Sequence, residues 1–270
     1  MSEGTVHVSR RGHVAIVTLD RPERKNALGE ELWNALGRAA DELHGALPRA
    51  VVLTGAGDAF SAGMDVNPDN PQVARLVGAV GAGDAAPARA MLLALHAVLD
   101  RVFSLPVPII AAIGGLAYGG GAEIAARCDL RVADPRATIC FSEVRLGLMP
   151  DLGGGVALAR LVGPGRAADL ILTARKVRAE EALALGLVNR VSEQGAALDE
   201  AIALAQEIAA NGPRAVRAAL AVIRGSADQS WPDAVRGELE AAATLIASGE
   251  CQAGITAFMT RTPPQFRDPA

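Results

Sequence analysis

The sequence predicts a mixed α/β core followed by a helical C-terminal region. In residues 1–195, short runs rich in β-branched residues alternate with amphipathic patterns of helical period, which is typical of an α/β core. Two of the buried strands run directly into glycine-containing turns. In residues 196–270 the strand signal stops, and helical patterns interrupted at two proline-containing turns fill the chain. We therefore expect a core of residues 1–195 and a helical region of residues 196–270.

The strands and the first helix can be placed in chain order. A strand is predicted at residues 13–20 (HVAIVTLD), and residues 29–47 carry apolar side chains at three- and four-residue spacings, which indicates an amphipathic helix. Further strands are predicted at residues 49–55 (RAVVLTG) and 107–115 (VPIIAAIGG). The stretch 130–143 (LRVADPRATICFSE) predicts two more strands about an Asp-Pro turn.

Residues 67–91 are predicted to form a mobile surface loop. The segment is rich in glycine, alanine and proline, and it lies beside the first glycine turn. Loops of this length are often functional lids or disordered segments, and the sequence leaves both readings open.

The composition restricts the class of protein. The chain of 270 residues, with 50% hydrophobic and 21% charged residues, is typical of a soluble globular protein. A net charge of −4 disfavours a general nucleic-acid binder, whose binding face is usually basic. The three cysteines form no C-x-x-C pair and suit a reducing compartment. Because the N-terminus lacks a secretory signal, and prolines, glycines and a glutamate interrupt the apolar stretch 105–126, we expect a cytoplasmic protein that binds no membrane.

Motifs of several common enzyme classes are absent from the sequence. No glycine cluster fits G-x-G-x-x-G, and G-x-x-x-x-G-K-[ST], G-x-S-x-G and H-E-x-x-H are also missing. The four histidines are scattered without the spacing of metal ligands. We therefore expect no metal site, and each histidine fits a surface or packing position.

Three carboxylates remain as candidates for chemistry. Glu123 follows a run of three glycines, Glu143 comes 20 residues later, and Asp151 eight residues after that. Desolvating a glutamate in an apolar run costs several kcal/mol unless it has a partner. Carboxylates that share a site hold their protons unequally, which suits general acid/base catalysis. Taken singly, each residue better fits a structural role, with Glu123 capping a helix and the other two lying in turns.

Several motifs in one order resemble those of a known family. The stretches FSAGMD (60–65), YGGGAE (118–123) and FSEVRLGLMPDLGG (141–154) resemble the crotonase family, also called the enoyl-CoA hydratase/isomerase superfamily. The resemblance begins at LDRPERKNAL (19–28) and ends at GITAFMTRTPPQF (254–266), so it covers nearly the whole chain. It implies a crotonase-like spiral of ββα units with a C-terminal α-helical region that family members use for trimerisation.

The resemblance implies a role for each glycine turn. In this family two backbone N–H groups bind the thioester carbonyl oxygen of an acyl-CoA, and by position they are those of Met64 and Gly120. Negative charge develops on that oxygen during the reaction, and preorganised N–H donors stabilise it. Glu123 and Glu143 match the two glutamates that hold the water in family hydratases. One would act as base on the water, and the pair would supply the proton to the α-carbon.

The resemblance also implies the groups that bind the acyl-CoA. Family hydratases often carry lysines where this chain has Glu23 and Asn67, so the phosphates of CoA need other cations. Arg24, with Lys25 beside it, and Arg261 are the candidates, although Arg24 and Lys25 equally fit a solvated surface pair. The residues assigned to substrate binding are Arg24, Ala62, Gly63, Asp65, Val66, Phe258 and Arg261.

Asp151 separates two possible reactions. An aspartate after the proline of the GxxP motif resembles family members that move double bonds, whereas typical hydratases have a small residue there. The expected function is hydration of a 2-enoyl-CoA. The alternative is isomerisation of an enoyl- or dienoyl-CoA by Asp151 with Glu143. Thioester hydrolysis and non-catalytic acyl-CoA binding are less favoured, because a non-catalytic relative should have lost Glu123 or Glu143.

The resemblance limits the partners as well. Coenzyme A enters as part of the substrate, so no separate cofactor is expected. The family architecture implies a homotrimer or a dimer of trimers.

Overall fold

The computed structural model describes residues 4–269, which contain ten β-strands and eleven α-helices. The strands are β1 Thr5–Arg11, β2 Val14–Asp20, β3 Ala50–Gly55, β4 Ala59–Ser61, β5 Ile109–Ile113, β6 Leu116–Tyr118, β7 Leu130–Ala133, β8 Thr138–Cys140, β9 Val177–Arg178 and β10 Arg190–Val191. The helices are α1 Glu30–Gly45, α2 Pro71–Ala82, α3 Ala85–Phe103, α4 Gly120–Arg127, α5 Gly154–Val162, α6 Pro164–Thr173, α7 Ala179–Ala184, α8 Ala197–Ala209, α9 Pro213–Ser226, α10 Trp231–Ala247 and α11 Glu250–Thr260.

The strands form two sheets. The large sheet has the order β1-β2-β3-β5-β7-β10, and its neighbours are parallel except for the β1–β2 pair. The small sheet has the order β4-β6-β8-β9 and is parallel except for the β8–β9 pair. The pairs β3/β4, β5/β6 and β7/β8 each send their first strand to the large sheet and their second strand to the small one. The chain therefore winds as a spiral of repeated units, as the resemblance implied.

The large sheet is covered on both faces, which explains why β3 and β5 are buried almost throughout. On one face, residues such as Leu53 and Ile109 pack with Leu36 of α1 and Leu99 of α3 in the main core. On the other face, the sheet packs against α8. This second cluster includes Val52, Ile110, Val132, Ala201, Ile202 and Ala205.

The position of α8 bears on the proposed division of the chain. The division into residues 1–195 and 196–270 assigns α8 to the helical region, but α8 covers one face of the large sheet. Helices α9 to α11 follow it, and no residue of α10 is buried. The two-part division stays a prediction. The packing of α8 against the large sheet makes this helix part of the core.

The predicted strands and first helix are present within a few residues of their expected bounds, but β1 and the short strands β4, β6, β9 and β10 were not predicted. The burial of β1 alternates between exposed and intermediate positions, and its last residues are exposed. Such an edge strand has a weak hydrophobic signal. Its pairing with β2 runs from Thr5 opposite Asp20 to Arg11 opposite Val14, so the sheet rather than the local sequence determines this strand.

The prediction of a loop at residues 67–91 was wrong, because α2 and the start of α3 occupy most of it. The Asn70 side chain accepts a hydrogen bond from the N–H two residues on, and Pro71 occupies the first turn of α2. Gly83 ends that helix at φ +61°, and the Asp84 side chain caps α3 in the same way as Asn70 caps α2. These capping residues are ordinary helix-start signals, and the high glycine and alanine content concealed them.

Two arginines fasten the C-terminal region to the core. Arg224 of α9 forms an ion pair with Asp129 at 2.7 Å and donates to main-chain carbonyls just before β5. Arg49 binds Asp268 at 2.6 Å and the Phe266 carbonyl at 2.8 Å. In the described part of the chain, no helix is both long and apolar enough to cross a membrane.

Candidate active site

The carboxyl ends of three neighbouring strands in the small sheet meet at one place. Strand β4 leads into the first glycine turn, β6 into the second glycine turn and α4, and β8 into Glu143. Because β4, β6 and β8 are parallel and adjacent, residues far apart in sequence converge at this edge. The sheet therefore brings together Met64, Gly120, Glu123 and Glu143.

The two glycine turns lie against each other. Gly63 has φ +84°, and a Cβ at this position would lie 2.6 Å from the Tyr118 carbonyl and 2.9 Å from the Gly120 nitrogen. Only glycine allows this approach without strain. The expectation that the turns meet around Met64 and Gly120 fits this packing.

The main-chain N–H groups of Met64 and Gly120 are not used by the strand pairing or the helix to which they belong. Met64 pairs with Leu28 through its neighbours, since Leu28 N–H donates to Gly63 O and Asp65 N–H donates to Leu28 O. In a parallel pair of this kind, the N–H of Met64 itself points away from Leu28. Gly120 is the first residue of α4, and the first N–H groups of a helix have no acceptor within it. Both residues line the same cavity.

Glu123 is buried and held by three main-chain N–H groups. Its side chain reaches from the first turn of α4 to the loop before α5. Asp151 N–H donates to Oε1 at 3.2 Å, while Leu152 and Gly154 donate to Oε2 at 2.8 and 2.9 Å. Burial raises the pKa of Glu123 to about 8, although these N–H donors act in the opposite direction.

Glu143 lies beside Glu123 but has no such donors. Its two carboxyl oxygens are buried and have no hydrogen-bond partner within the described residues. Its Oε1 lies 3.6 Å from the place that a Cβ of Gly119 would occupy, so the carboxyl lies next to the second glycine turn. Burial raises the pKa of Glu143, and the negative charge of Asp151 raises it further.

Asp151 completes a group of three carboxyls that line one cavity of about 70 Å³. Burial raises the pKa of Asp151 too, while His96 lowers it. The rest of the wall is mainly apolar, so all three carboxyls lie in surroundings that disfavour charge. The other lining residues are Leu28, Trp33, Met64, Gln72, Leu76, Met91, Leu92, Leu95, Gly120, Leu148, Met149 and Leu152.

This chain is similar to characterised proteins over nearly its whole length. It matches the family described as enoyl-CoA hydratase/isomerase over residues 9–269. A protein of Thermus thermophilus, named provisionally as an enoyl-CoA hydratase, is 41% identical over 258 residues that cover 95% of this chain and 98% of that protein. A short-chain-enoyl-CoA hydratase of Clostridium acetobutylicum is 34% identical over 266 residues, with 97% of each covered.

Solved structures give the same result. An enoyl-CoA hydratase from Polaromonas sp. JS666 has a TM-score of 0.87 and 31% sequence identity, with 98% of this chain and 100% of that one covered. The chain belongs to the enoyl-CoA hydratase/isomerase family. Membership confirms the resemblance and the crotonase-type α/β fold, and it supports an enzyme of this kind.

The residues assigned to substrate binding lie in different surroundings. Ala62 and Gly63 form the first glycine turn, whereas Asp65 is buried and pairs with Arg21 at 2.5 Å. The next residue, Val66, is exposed. The side chain of Asp65 therefore supports the turn from behind, and its role toward substrate stays a prediction.

The three predicted contacts with CoA are on the surface. Arg24 lies in a short 3-10 helix and is exposed. Phe258 of α11 is 86% exposed, and Arg261 ends that helix at φ +55°. None of the three lines the cavity, so their roles also stay predictions. Within residues 4–269, no group of three or more His, Cys, Asp or Glu side chains is arranged to hold a metal ion.

Two basic residues near the cavity were not predicted from the sequence. His96 of α3 binds the Asp151 carbonyl at 2.7 Å, and Arg127 of α4 donates to the Leu152 carbonyl at 2.9 Å. Their partners are main-chain atoms, so no side-chain pattern in the sequence reveals them. The helical spacing of Met91 and Leu95, one residue before His96, would have indicated that this part of α3 faces the cavity.

Proposed function

We propose that the protein hydrates the 2,3 double bond of a 2-enoyl-CoA. The observation that supports this most is the pair Glu123 and Glu143, buried side by side next to both glycine turns. The Glu143 oxygens lack protein partners in the described residues, so they are available to a water and to the substrate. A water held by both carboxyls is placed to add to a double bond beside the bound thioester.

The two glutamates hold at least one proton between them near neutral pH. Because they share one cavity, loss of a proton from one raises the pKa of the other. Burial raises the pKa of Glu123 from 4.5 to about 8, and it raises the pKa of Glu143 as well. One carboxyl then accepts a proton from the water that attacks the β-carbon, and the pair supplies the proton to the α-carbon.

The N–H groups of Met64 and Gly120 would stabilise the negative charge on the thioester oxygen. Addition of water produces an enolate before the α-carbon is protonated, and the charge rests on that oxygen. Donors that already point at the site need no reorganisation during the reaction. Loss of one such donor typically costs about 3 kcal/mol.

Isomerisation is the second candidate because of Asp151. This residue lines the cavity, and burial raises its pKa, which favours a role in proton transfer. In this reaction Asp151 and Glu143 would remove a proton at one carbon and return it at another. Glu123 would then mainly order the loop that carries Asp151.

Rate measurements on two substrates distinguish these reactions. We expect the wild-type protein to hydrate crotonyl-CoA, followed as loss of the absorbance of the conjugated thioester. Asp151→Asn should then lower this rate less than about tenfold, or 1.4 kcal/mol. Slow hydration by the wild type, with isomerisation of a 3-enoyl- or 3,5-dienoyl-CoA that collapses in Asp151→Asn, would establish the isomerase instead.

The remaining expectations belong to the same proposal. Coenzyme A would enter with the substrate, with Arg24 and Arg261 near its phosphates and no other cofactor. The assembly would be a homotrimer or a dimer of trimers in the cytoplasm. The strongly exposed apolar residues Trp231 of α10 and Phe258 and Met259 of α11 support an interface on this side.

A further inference from the structure

His96 is hydrogen-bonded to the loop that holds Glu123. Its Nε2 atom lies 2.7 Å from the main-chain oxygen of Asp151. A carbonyl oxygen only accepts, so the ring N–H donates and Nε2 carries the proton. His96 is not among the residues that line the cavity, so its contact with the site passes through this peptide.

The carbonyl that His96 binds belongs to the same peptide unit whose N–H binds Glu123. The Asp151 carbonyl and the Leu152 N–H are opposite ends of one planar group. His96 holds one end, and the other end donates to Glu123 Oε2 at 2.8 Å. Fixing the carbonyl direction therefore fixes the N–H direction, and a donor at the carbonyl strengthens the N–H as a donor.

The next peptide unit is held in a similar way. Its carbonyl, from Leu152, accepts a hydrogen bond from Arg127 at 2.9 Å, and the Arg127 guanidinium lies 4.5 Å from the centre of the Phe103 ring. The carbonyls of Asp151 and Leu152 thus accept hydrogen bonds from His96 and Arg127. The nearby main-chain N–H groups converge on Glu123. The loop before α5 is held from both sides.

We propose that His96 is a positioning residue, which aims the main-chain N–H groups that orient the Glu123 carboxyl. The proposal rests on the proposed function, in which Glu123 handles a proton of the reaction. It assigns His96 no contact with substrate. The hydrogen bond of His96 acts on turnover through the peptide between Asp151 and Leu152.

Two substitutions separate this role from simple packing. His96→Leu removes the donor and should lower kcat about ten- to hundredfold, as expected when a reacting group is misplaced, with KM for the acyl-CoA changed less than about threefold. His96→Gln keeps an N–H at a similar position and should recover most of the loss. Equal losses in both variants, or wild-type kcat in His96→Leu, would overturn the proposal.

His44 of α1 offers a matched control, because it is hydrogen-bonded to the helix that carries His96. Its Nε2 atom lies 2.8 Å from the Arg101 carbonyl of α3, and the pair is exposed. His44→Leu removes the same kind of hydrogen bond away from the cavity, so kcat should stay at the wild-type value. A loss as large as that of His96→Leu would mean that any loosening of α3 lowers turnover, which contradicts a specific role for His96.

A second readout does not depend on activity. Carboxyl carbon-13 titration, with the Glu123 signal assigned through Glu123→Gln, should show a higher Glu123 pKa in His96→Leu because the N–H donors are less well aimed. An unchanged titration overturns the positioning role even if no substrate has been found. Absence of wild-type turnover on every enoyl-CoA tested contradicts the proposed function and leaves this titration to decide the role of His96.

Discussion

Gly154 packs directly onto Glu123, so closely that a Cβ atom on the glycine would overlap the Cα, Cβ and Cγ atoms of the glutamate. The same glycine donates its N–H to Glu123 Oε2 at 2.9 Å. The start of α5 thus both shapes and holds the side chain on α4. Only a residue without a Cβ fits at this contact.

Gly154→Ala should therefore displace Glu123. We expect kcat/KM on the active enoyl-CoA to fall about ten- to hundredfold, together with a loss of about 1–3 kcal/mol in the free energy of unfolding from overpacking. Gly165→Ala in α6 is the control, because its Cβ would meet no atom within 4 Å. The interpretation fails if the two alanine variants have equal activity.

The two glutamates should be separately necessary. Glu123→Gln and Glu143→Gln keep the shape of each side chain but remove proton transfer. Each should lower kcat by about 10² or more and leave the affinity for a CoA ester, measured calorimetrically, nearly intact. Near-wild-type rates in either variant on every active substrate would refute the role of that residue.

The glycine turn before Met64 should be sensitive to a single methyl group. In Gly63→Ala, the added Cβ meets the Tyr118 carbonyl and the Gly120 nitrogen, so both proposed N–H donors move. We expect kcat to fall roughly a hundredfold, as when one donor to the oxyanion is removed. Met64→Leu keeps the main chain and should cost less than about tenfold. Equal effects would show that the Met64 side chain, rather than its N–H, is important.

The raised pKa of Glu123 predicts how stability depends on pH. The ordinary value of 4.5 rises to about 8 in the folded chain. Its contribution is therefore fully present below the unfolded value and is lost as pH rises through the folded one, because the unfolded chain releases the proton first. Tm should fall between about pH 5 and pH 8.5, and Glu123→Gln should reduce this fall. Parallel curves for the two proteins would contradict the assignment.

The exposed apolar residues of the last two helices should support assembly. Sedimentation should give a trimer or hexamer for the wild type, and Phe258→Glu should shift it toward smaller species because a charge is costly in an apolar interface. Val80→Glu, at an equally exposed position of α2, is the control and should leave the assembly intact. A monomeric wild type would exclude the proposed trimer.

The sequence predicted five of the ten strands, because buried strands carry their own signal. The runs around Val52 and Ile110 are apolar on both faces, and they became the centre of the large sheet. The edge strand β1 was missed because it is only half buried. Helices α2 and α3 were missed because they begin at Asn70 and Asp84, within a segment whose glycines suggested a loop.

The candidate site was predictable only in part. Glycine turns and carboxylates are visible as residue types in order, and the resemblance to the crotonase family grouped Met64, Gly120, Glu123 and Glu143. The groups that hold Glu123 could not, because they are main-chain N–H groups of Asp151, Leu152 and Gly154. Their direction depends on tertiary contacts, and the identities of these side chains do not encode it.

The meeting of β4, β6 and β8 at one edge also has an evolutionary meaning. The groups proposed to grip the thioester follow the first two strands, whereas Glu143 and the loop with Asp151 come after the third. Mutations after β8 can thus change which carbon gains or loses a proton, while the groups proposed to bind the thioester stay the same. A lineage with this sheet can therefore acquire new reactions through substitutions after the carboxyl end of a single strand.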